Sequence, residues 1–116
     1  MIALATLYNT DRPYSTEYNN PNEATISRYA WGADYHDILQ QRTEMLLERL
    51  QTASPESFDA RCYVDTGPIQ ERVYAQYAGL GWIGKNTCLI HPEQGSWFFL
   101  SEIITSLFLD VDTPQL

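Results

Sequence analysis

The chain is short of basic residues. Seven lysines and arginines, with Lys85 the single lysine, stand against fifteen acidic side chains, for a net charge of −8. That balance repels a phosphate backbone and argues against a chain that grips nucleic acid unaided. Cysteine is scarce as well: Cys62 and Cys88 are too few for a disulfide framework or for an iron–sulfur cluster, which takes four thiolates. No apolar run approaches the ~20 residues that cross a bilayer, and the N-terminus carries no basic segment followed by a signal-like apolar stretch. The expectation is a reduced, cytoplasmic protein that does not enter a membrane. Apolar and aromatic residues, by contrast, are plentiful. The 116 residues are 44% hydrophobic and 13% aromatic, with eight tyrosines and three tryptophans, enough for the core of one small domain.

Hydrophobic patterning sets the organisation. Ile2 to Tyr8 reads as a buried strand, and Asn9 to Asn22, with Pro13 and Pro21, as a long loop. Tyr35, Ile38, Leu39, Met45, Leu46 and Leu50 recur at spacings of three and four, which predicts a helix over Asp34 to Gln51 with Asp34 as its N-cap. A strand is expected at Ala60 to Val64, then a turn at Asp65-Thr66-Gly67. A second helix is expected from Pro68, with Ile69, Val73, Tyr77 and Leu80 as its apolar stripe and Gly79 or Gly81 as its stop. Thr87 to His91 and Ser96 to Thr105 read as strands, and Ser106 to Leu116 as a linker. The order β-α-β-α-β-β gives a mixed α/β or α+β class. A core strand at residue two and a chain that stops on a linker both read as truncation.

Several residues admit a chemical and a plain reading. Four of the six glycines fall between Gly67 and Gly84, where backbone must turn sharply or approach something closely. Gly79 to Asn86 matches no phosphate-loop signature, and Lys85 there reads first as a solvated charge. Asp65 closes a strand, where carboxylates of α/β domains face the ligand crevice. The same position suits a helix-capping aspartate, which the residues alone favour slightly. Arg72 reads as a solvated helix face. His36 and His91 have no partner at metal-ligand spacing. Cys62 reads as a buried thiol, and a Cys62, His36 and Asp65 nucleophilic set is a trio that any small protein offers.

Four segments, however, occur in register: Ile26-Ser-Arg-Tyr-Ala-Trp-Gly-Ala-Asp-Tyr-His36, Tyr63-Val-Asp-Thr-Gly-Pro68, Ala78-Gly-Leu-Gly-Trp-Ile-Gly-Lys-Asn-Thr87 and Gly95-Ser-Trp-Phe-Phe-Leu100. Together they closely resemble the epoxyqueuosine reductases, cobalamin- and iron–sulfur-dependent enzymes of queuosine synthesis in tRNA. The resemblance implies a partial cobalamin-binding catalytic domain over 1–105, similar to flavin-reductase-like cobalamin processors. Residues 106–116 would then begin a linker to a ferredoxin-like domain carrying two [4Fe-4S] clusters. It implies that Asp65 is the proton donor for opening the epoxide and that Arg72 lies beneath cobalt with no side chain ligating the metal from below. Arg28, Tyr29, Asp34 and His36, with Gly84, Lys85 and Asn86, would cradle the cofactor. No residue is assigned as a metal ligand.

The departures from the family matter too. The Cys-x-x-Cys-x-x-Cys-x-x-x-Cys-Pro runs that hold its clusters are missing here, and its basic tRNA-binding surface must lie elsewhere. The expectation is a fragment that does not turn over alone. The alternatives are a stand-alone cobalamin-binding or carrier module, or a cobalamin-dependent reductase of another substrate.

Overall fold

In a computed structural model, which describes residues 1–18 and 20–114, the strand-forming runs assemble around the last of them. β1 (Ile2–Leu7), α1 (Tyr35–Ala53), β2 (Ala60–Tyr63), α2 (Glu71–Tyr77), β3 (Trp82–Ile83), β4 (Leu89–Ile90) and β5 (Phe98–Thr105) follow in chain order, with short 3-10 turns at Ser15–Glu17 and Arg28–Ala30. β5 is central in an antiparallel sheet of order β1-β5-β2, with Ile2 opposite Ile103 and Tyr63 opposite Glu102. β3 and β4 form a separate small hairpin. Among the described residues no helix is long and apolar enough to cross a membrane.

Alternation along β5 sends Phe99, Ser101 and Ile103 to one face and Glu102 to the other. α1 covers the first face: Leu39 and Thr43, one helical turn apart, are both buried, and Thr43 Oγ1 donates to Ser101 Oγ at 3.1 Å. Ile103 has no exposed surface there, a burial worth ~1.5–3 kcal/mol. α2 touches β5 and β1 and buries Ala75 completely. The charge of Glu71, at its N-terminus, opposes the ionisation of Glu102.

Most expected elements appear, with shifted ends. Asp34 caps α1, its Oδ1 accepting the His36 N–H at 2.9 Å. α2 begins at Glu71, three residues after Pro68, because the chain first turns through Asp65 (φ 56) and packs Gly67 against the Tyr63 ring. Ile69 therefore falls outside the helix, and Tyr77 stays 62% exposed; the short helix seats on the sheet through Ala75. Gly79 (φ 77) does end it: Gly79 N–H donates to Gln76 and Leu80 N–H to Ala75, a closed Schellman cap. β3 was not expected. It exists because Gly81 lets the chain pass against the Ile90 carbonyl, where any Cβ would collide. Of the expected loop and linker, Asn19, Gln115 and Leu116 lie outside the described residues. The stretch 106–114 carries no helix or strand, and its Thr113 carbonyl rests against Gly79.

Candidate active site

The N-cap of α1 and the turn after β2 meet at one carboxylate. Asp34, besides capping α1, faces His36 Nδ1 with the same Oδ1 at 2.8 Å, which fixes the imidazole and aims Nε2 at Asp65 Oδ2, 3.2 Å away. Tyr35 donates its hydroxyl to that same Oδ2 at 2.9 Å. The Tyr35 ring is held between Phe99 of β5 (centroids 4.1 Å apart, 6° between planes) and His36 (4.0 Å). Two consecutive side chains at a capped helix start thus converge on Asp65.

Asp65 itself is held in the left-handed region, a conformation aspartate tolerates better than most residues. Its N–H donates to Glu71 Oε1 at 2.7 Å. The plain reading of Asp65 as the cap of α2 fails: Gln70 is the N-cap, and no side chain caps it. The carboxylate is exposed and lines an open crevice of about 430 Å³ together with Gln70, Arg72, Val73, Ile83 and Thr87. Arg72 donates through Nη1 to the Thr87 carbonyl at 2.6 Å and its Oγ1 at 3.3 Å. That bond pins the β3–β4 turn, where Thr87 also has positive φ (65°).

The charges follow from this packing. Hydrogen bonding to Asp34, reinforced by Asp65, raises the pKa of His36. Asp34 is held below the usual carboxylate range, chiefly by the His36 N–H and then by the imidazole. Burial, then the bond to Asp65, pushes Tyr35 up to about 12, so it remains a donor. Glu71 is raised by burial, with Asp65 adding repulsion. Glu102 is pushed up to about 7, first by burial and then by Glu71 and Asp65. The cluster can hold a proton beside an open crevice, and that is its chemical capability.

The other sequence-assigned residues lie in two further places. Gly84, Lys85 and Asn86 lie in the β3–β4 turn just before Thr87: Gly84 N–H donates to Cys88 O, Asn86 Oδ1 accepts the Cys88 N–H at 3.1 Å, and Lys85 is exposed. A Cβ on Gly84 would sit 2.5 Å from Ile90 Cδ1. Arg28 and Tyr29 belong to an aromatic cavity of about 570 Å³ under the 9–33 segment, walled by Tyr8, Tyr14, Trp31 and Trp97. Buried Arg28 donates to Asn9 Oδ1 and to the Thr10, Arg12 and Pro13 carbonyls, and its guanidinium lies 4.7–5.4 Å from the ring centroids of Tyr14, Trp97 and Trp31. A smaller cavity of about 260 Å³ brings Arg28 and Tyr29 to a common wall with Tyr35 and Phe99. Cys62, a free thiol, is raised by burial and by Glu44 and shares no polar contact with His36 or Asp65 among the described residues, so the nucleophilic trio is not assembled. Sequence reasoning passed over Tyr35, Glu71 and Glu102. Tyr35 was legible only through its place inside the first motif. Glu102 showed itself only as the lone charge in an apolar run.

Comparison with known proteins accords with this arrangement. The family model described as epoxyqueuosine reductase QueG, DUF1730, matches residues 1–66. An epoxyqueuosine reductase of Gloeobacter violaceus is 46% identical over 115 residues, 99% of this chain and 34% of that protein. A crystal structure of epoxyqueuosine reductase with a tRNA-Tyr epoxyqueuosine-modified stem loop superposes with a TM-score of 0.80 at 32% identity, covering 98% of this chain and 30% of that one. The Bacillus subtilis enzyme, solved with its aspartate-bearing catalytic loop swung out of the active site, gives a TM-score of 0.75 at 32% identity over 98% of this chain and 30% of its own. The chain thus spans about a third of the length of these relatives, and it belongs to the epoxyqueuosine reductase family of oxidoreductases.

Proposed function

We propose that this chain is the main part of the catalytic domain of an epoxyqueuosine reductase and that Asp65 is its proton donor. The observation that carries the assignment is the pairing at one oxygen. Tyr35 and His36 both occupy Oδ2, which leaves Oδ1 as the oxygen free to pass a proton to the substrate. Opening an epoxide breaks a carbon–oxygen bond and puts charge on oxygen, and a proton delivered there lowers the barrier. Tyr35 and His36 orient the carboxyl, and His36, raised in pKa and half-buried, is placed to return a proton to it from solvent.

The crevice suits cobalamin. Val73 and Ile83 give it apolar walls, and Gly84 keeps the adjoining turn tight. Among the described residues no three His, Cys, Asp or Glu side chains are grouped to hold a metal ion. Bound cobalamin would supply the electrons. Arg72 would face its lower side, while Lys85 and Asn86, with Tyr29, Asp34 and His36, would contact its periphery, and Arg28 would act by holding the 9–13 loop in place. The [4Fe-4S] clusters do not fit: each needs four thiolates, and the chain has two cysteines. Residues 106–116 would lead toward the part of the enzyme that holds them. The substrate would be an epoxyqueuosine-bearing tRNA, gripped mainly by surfaces outside this acidic chain.

Titrating the purified chain with hydroxocobalamin under reducing conditions, followed by visible spectroscopy, tests the cradle. Saturable base-off binding at one cobalamin per chain is the expected result. A folded chain with no saturable spectral change would contradict it.

A further inference from the structure

Glu102 is the one charged residue of β5, the middle strand of the sheet. It has no exposed surface, and neither carboxylate oxygen has a hydrogen-bond partner among the described residues. An ionised carboxylate there would lose its hydration with no bond in return, so the site favours the neutral acid. The groups facing it are few. β1 sets Ala3 opposite and β2 sets Tyr63 opposite, with exposed Arg61 further along the same face. α2 brings Glu71 and the turn after β2 brings Asp65, both opposing its ionisation, while Arg72 is turned to Thr87. α1 covers the other face, and its Tyr35 and His36 contact Asp65.

The Tyr63–Glu102 pairing also fixes where Asp65 begins. Two residues beyond Tyr63, its backbone starts within ~7 Å of chain from the strand position beside Glu102. Glu71, on the helix that packs against β5, accepts the Asp65 N–H at 2.7 Å. A charge on Glu102 would repel the Glu71 carboxylate that makes this bond. The left-handed turn at Asp65 would relax once the bond weakened, because that conformation costs an L-residue ~1–2 kcal/mol.

We propose that Glu102 is a positioning residue for Asp65: uncharged inside β5, it lets Glu71 hold the Asp65 N–H and so keeps the carboxyl aimed into the crevice, whereas its ionisation releases that hold. The functional meaning rests on Asp65 being the site's acid; the coupling itself does not.

The test is an NMR titration of this chain from pH 4 to 9, following the Glu102 side-chain carboxyl and the shift and exchange of the Asp65 amide. The Asp65 amide should show a step at the Glu102 midpoint, with exchange, corrected for its intrinsic rate, faster by about tenfold above it, as for loss of one hydrogen bond to a charged group. His36 also titrates against Asp65. The assigned step must therefore survive His36→Gln and vanish in Glu102→Gln. Should Glu102→Gln fail to fold, Glu71→Gln decides: with the repulsion gone, the Glu102 midpoint must fall. An Asp65 amide with no step at the Glu102 midpoint, or a midpoint unmoved by Glu71→Gln, overturns the proposal. Because no turnover is read, an active Asp65→Asn enzyme would defeat the proton-donor reading while the coupling stood, and a flat titration would do the reverse.

Discussion

Replacing Arg28 by methionine keeps most of the aliphatic stem and removes the guanidinium that gathers the 9–33 segment. Each of its terminal nitrogens has one close acceptor, Asn9 Oδ1 for Nη1 and the Arg12 carbonyl at 2.6 Å for Nη2, with longer contacts to the Thr10 and Pro13 carbonyls. Hydrogen bonds to a charged group contribute ~1.5–3 kcal/mol each. The guanidinium contacts with Tyr14, Trp31 and Trp97 add ~0.5–1 kcal/mol apiece. Only the two close bonds count, at the lower end of their range, because residues 9–14 are exposed, the released carbonyls rehydrate and the methionine side chain keeps contact with the rings. A loss of ~3 kcal/mol is therefore expected, confined to the segment, which corresponds to about a hundredfold faster amide exchange. Hydrogen–deuterium exchange should show that rise at Glu17, Tyr18 and Trp31, whose N–H groups bond within the segment, while β1 and β5 stay protected. Trp97 and Trp31 fluorescence should shift as their cation leaves. Unchanged exchange in these residues, or equal loosening of the sheet, would refute the view that Arg28 ties this segment locally.

Gly81→Ala should lower the melting temperature by about 10 °C, since overpacking against fixed backbone costs ~1–3 kcal/mol. Gly32→Ala, where a Cβ meets nothing within 4 Å and only positive φ opposes it, should cost ~1 kcal/mol, and the reverse ranking in thermal denaturation would contradict the close approach to Ile90. Histidine NMR should place the His36 pKa above the ordinary value, and Asp34→Asn should bring it down. Because the folded value is the raised one, the stability this network contributes is complete below the unfolded imidazole's pKa and is lost as pH rises through the folded one. A His36 that titrates identically with and without the Asp34 carboxylate would refute the assigned cause.

What the sequence made legible was whatever depends on local periodicity and capping. Asp34 sits before a stripe of spacing three and four, and both cap and helix follow from that. Gly79 stops α2 for the reason glycine usually does. The start of α2 was misjudged because a proline at a first helical turn is a local signal, whereas Glu71 is drawn to Asp65 by a contact between elements. The Tyr77 position fails likewise: a helix of seven residues meets the sheet through one small side chain, and stripe arithmetic assumes a longer contact. Within the site, Asp65, Asp34 and His36 were singled out, but Tyr35 and Glu71 were not. Tyr35 fits the helix stripe equally well by spacing, and only the stacking on Phe99 turns its hydroxyl to Asp65. Glu102 was illegible because alternation on a half-covered sheet sends an acid to solvent, and here α2 lies over that face. The hold of Arg28 on a loop fifteen to nineteen residues upstream is a long-range contact that no local pattern encodes.

The central assignment is the Asp65 proton, and the direct measurement is reduction of epoxyqueuosine-containing tRNA by the whole enzyme carrying Asp65→Asn. The side chain keeps its size and its contacts with Tyr35 and His36 in reach, but it has no acidic proton. Turnover should fall by a factor of about 10²–10⁴, the usual contribution of a positioned general acid, with the cobalamin spectrum of the bound enzyme unchanged. Turnover within a few-fold of the unsubstituted enzyme, with cobalamin bound, would show that another group delivers the proton.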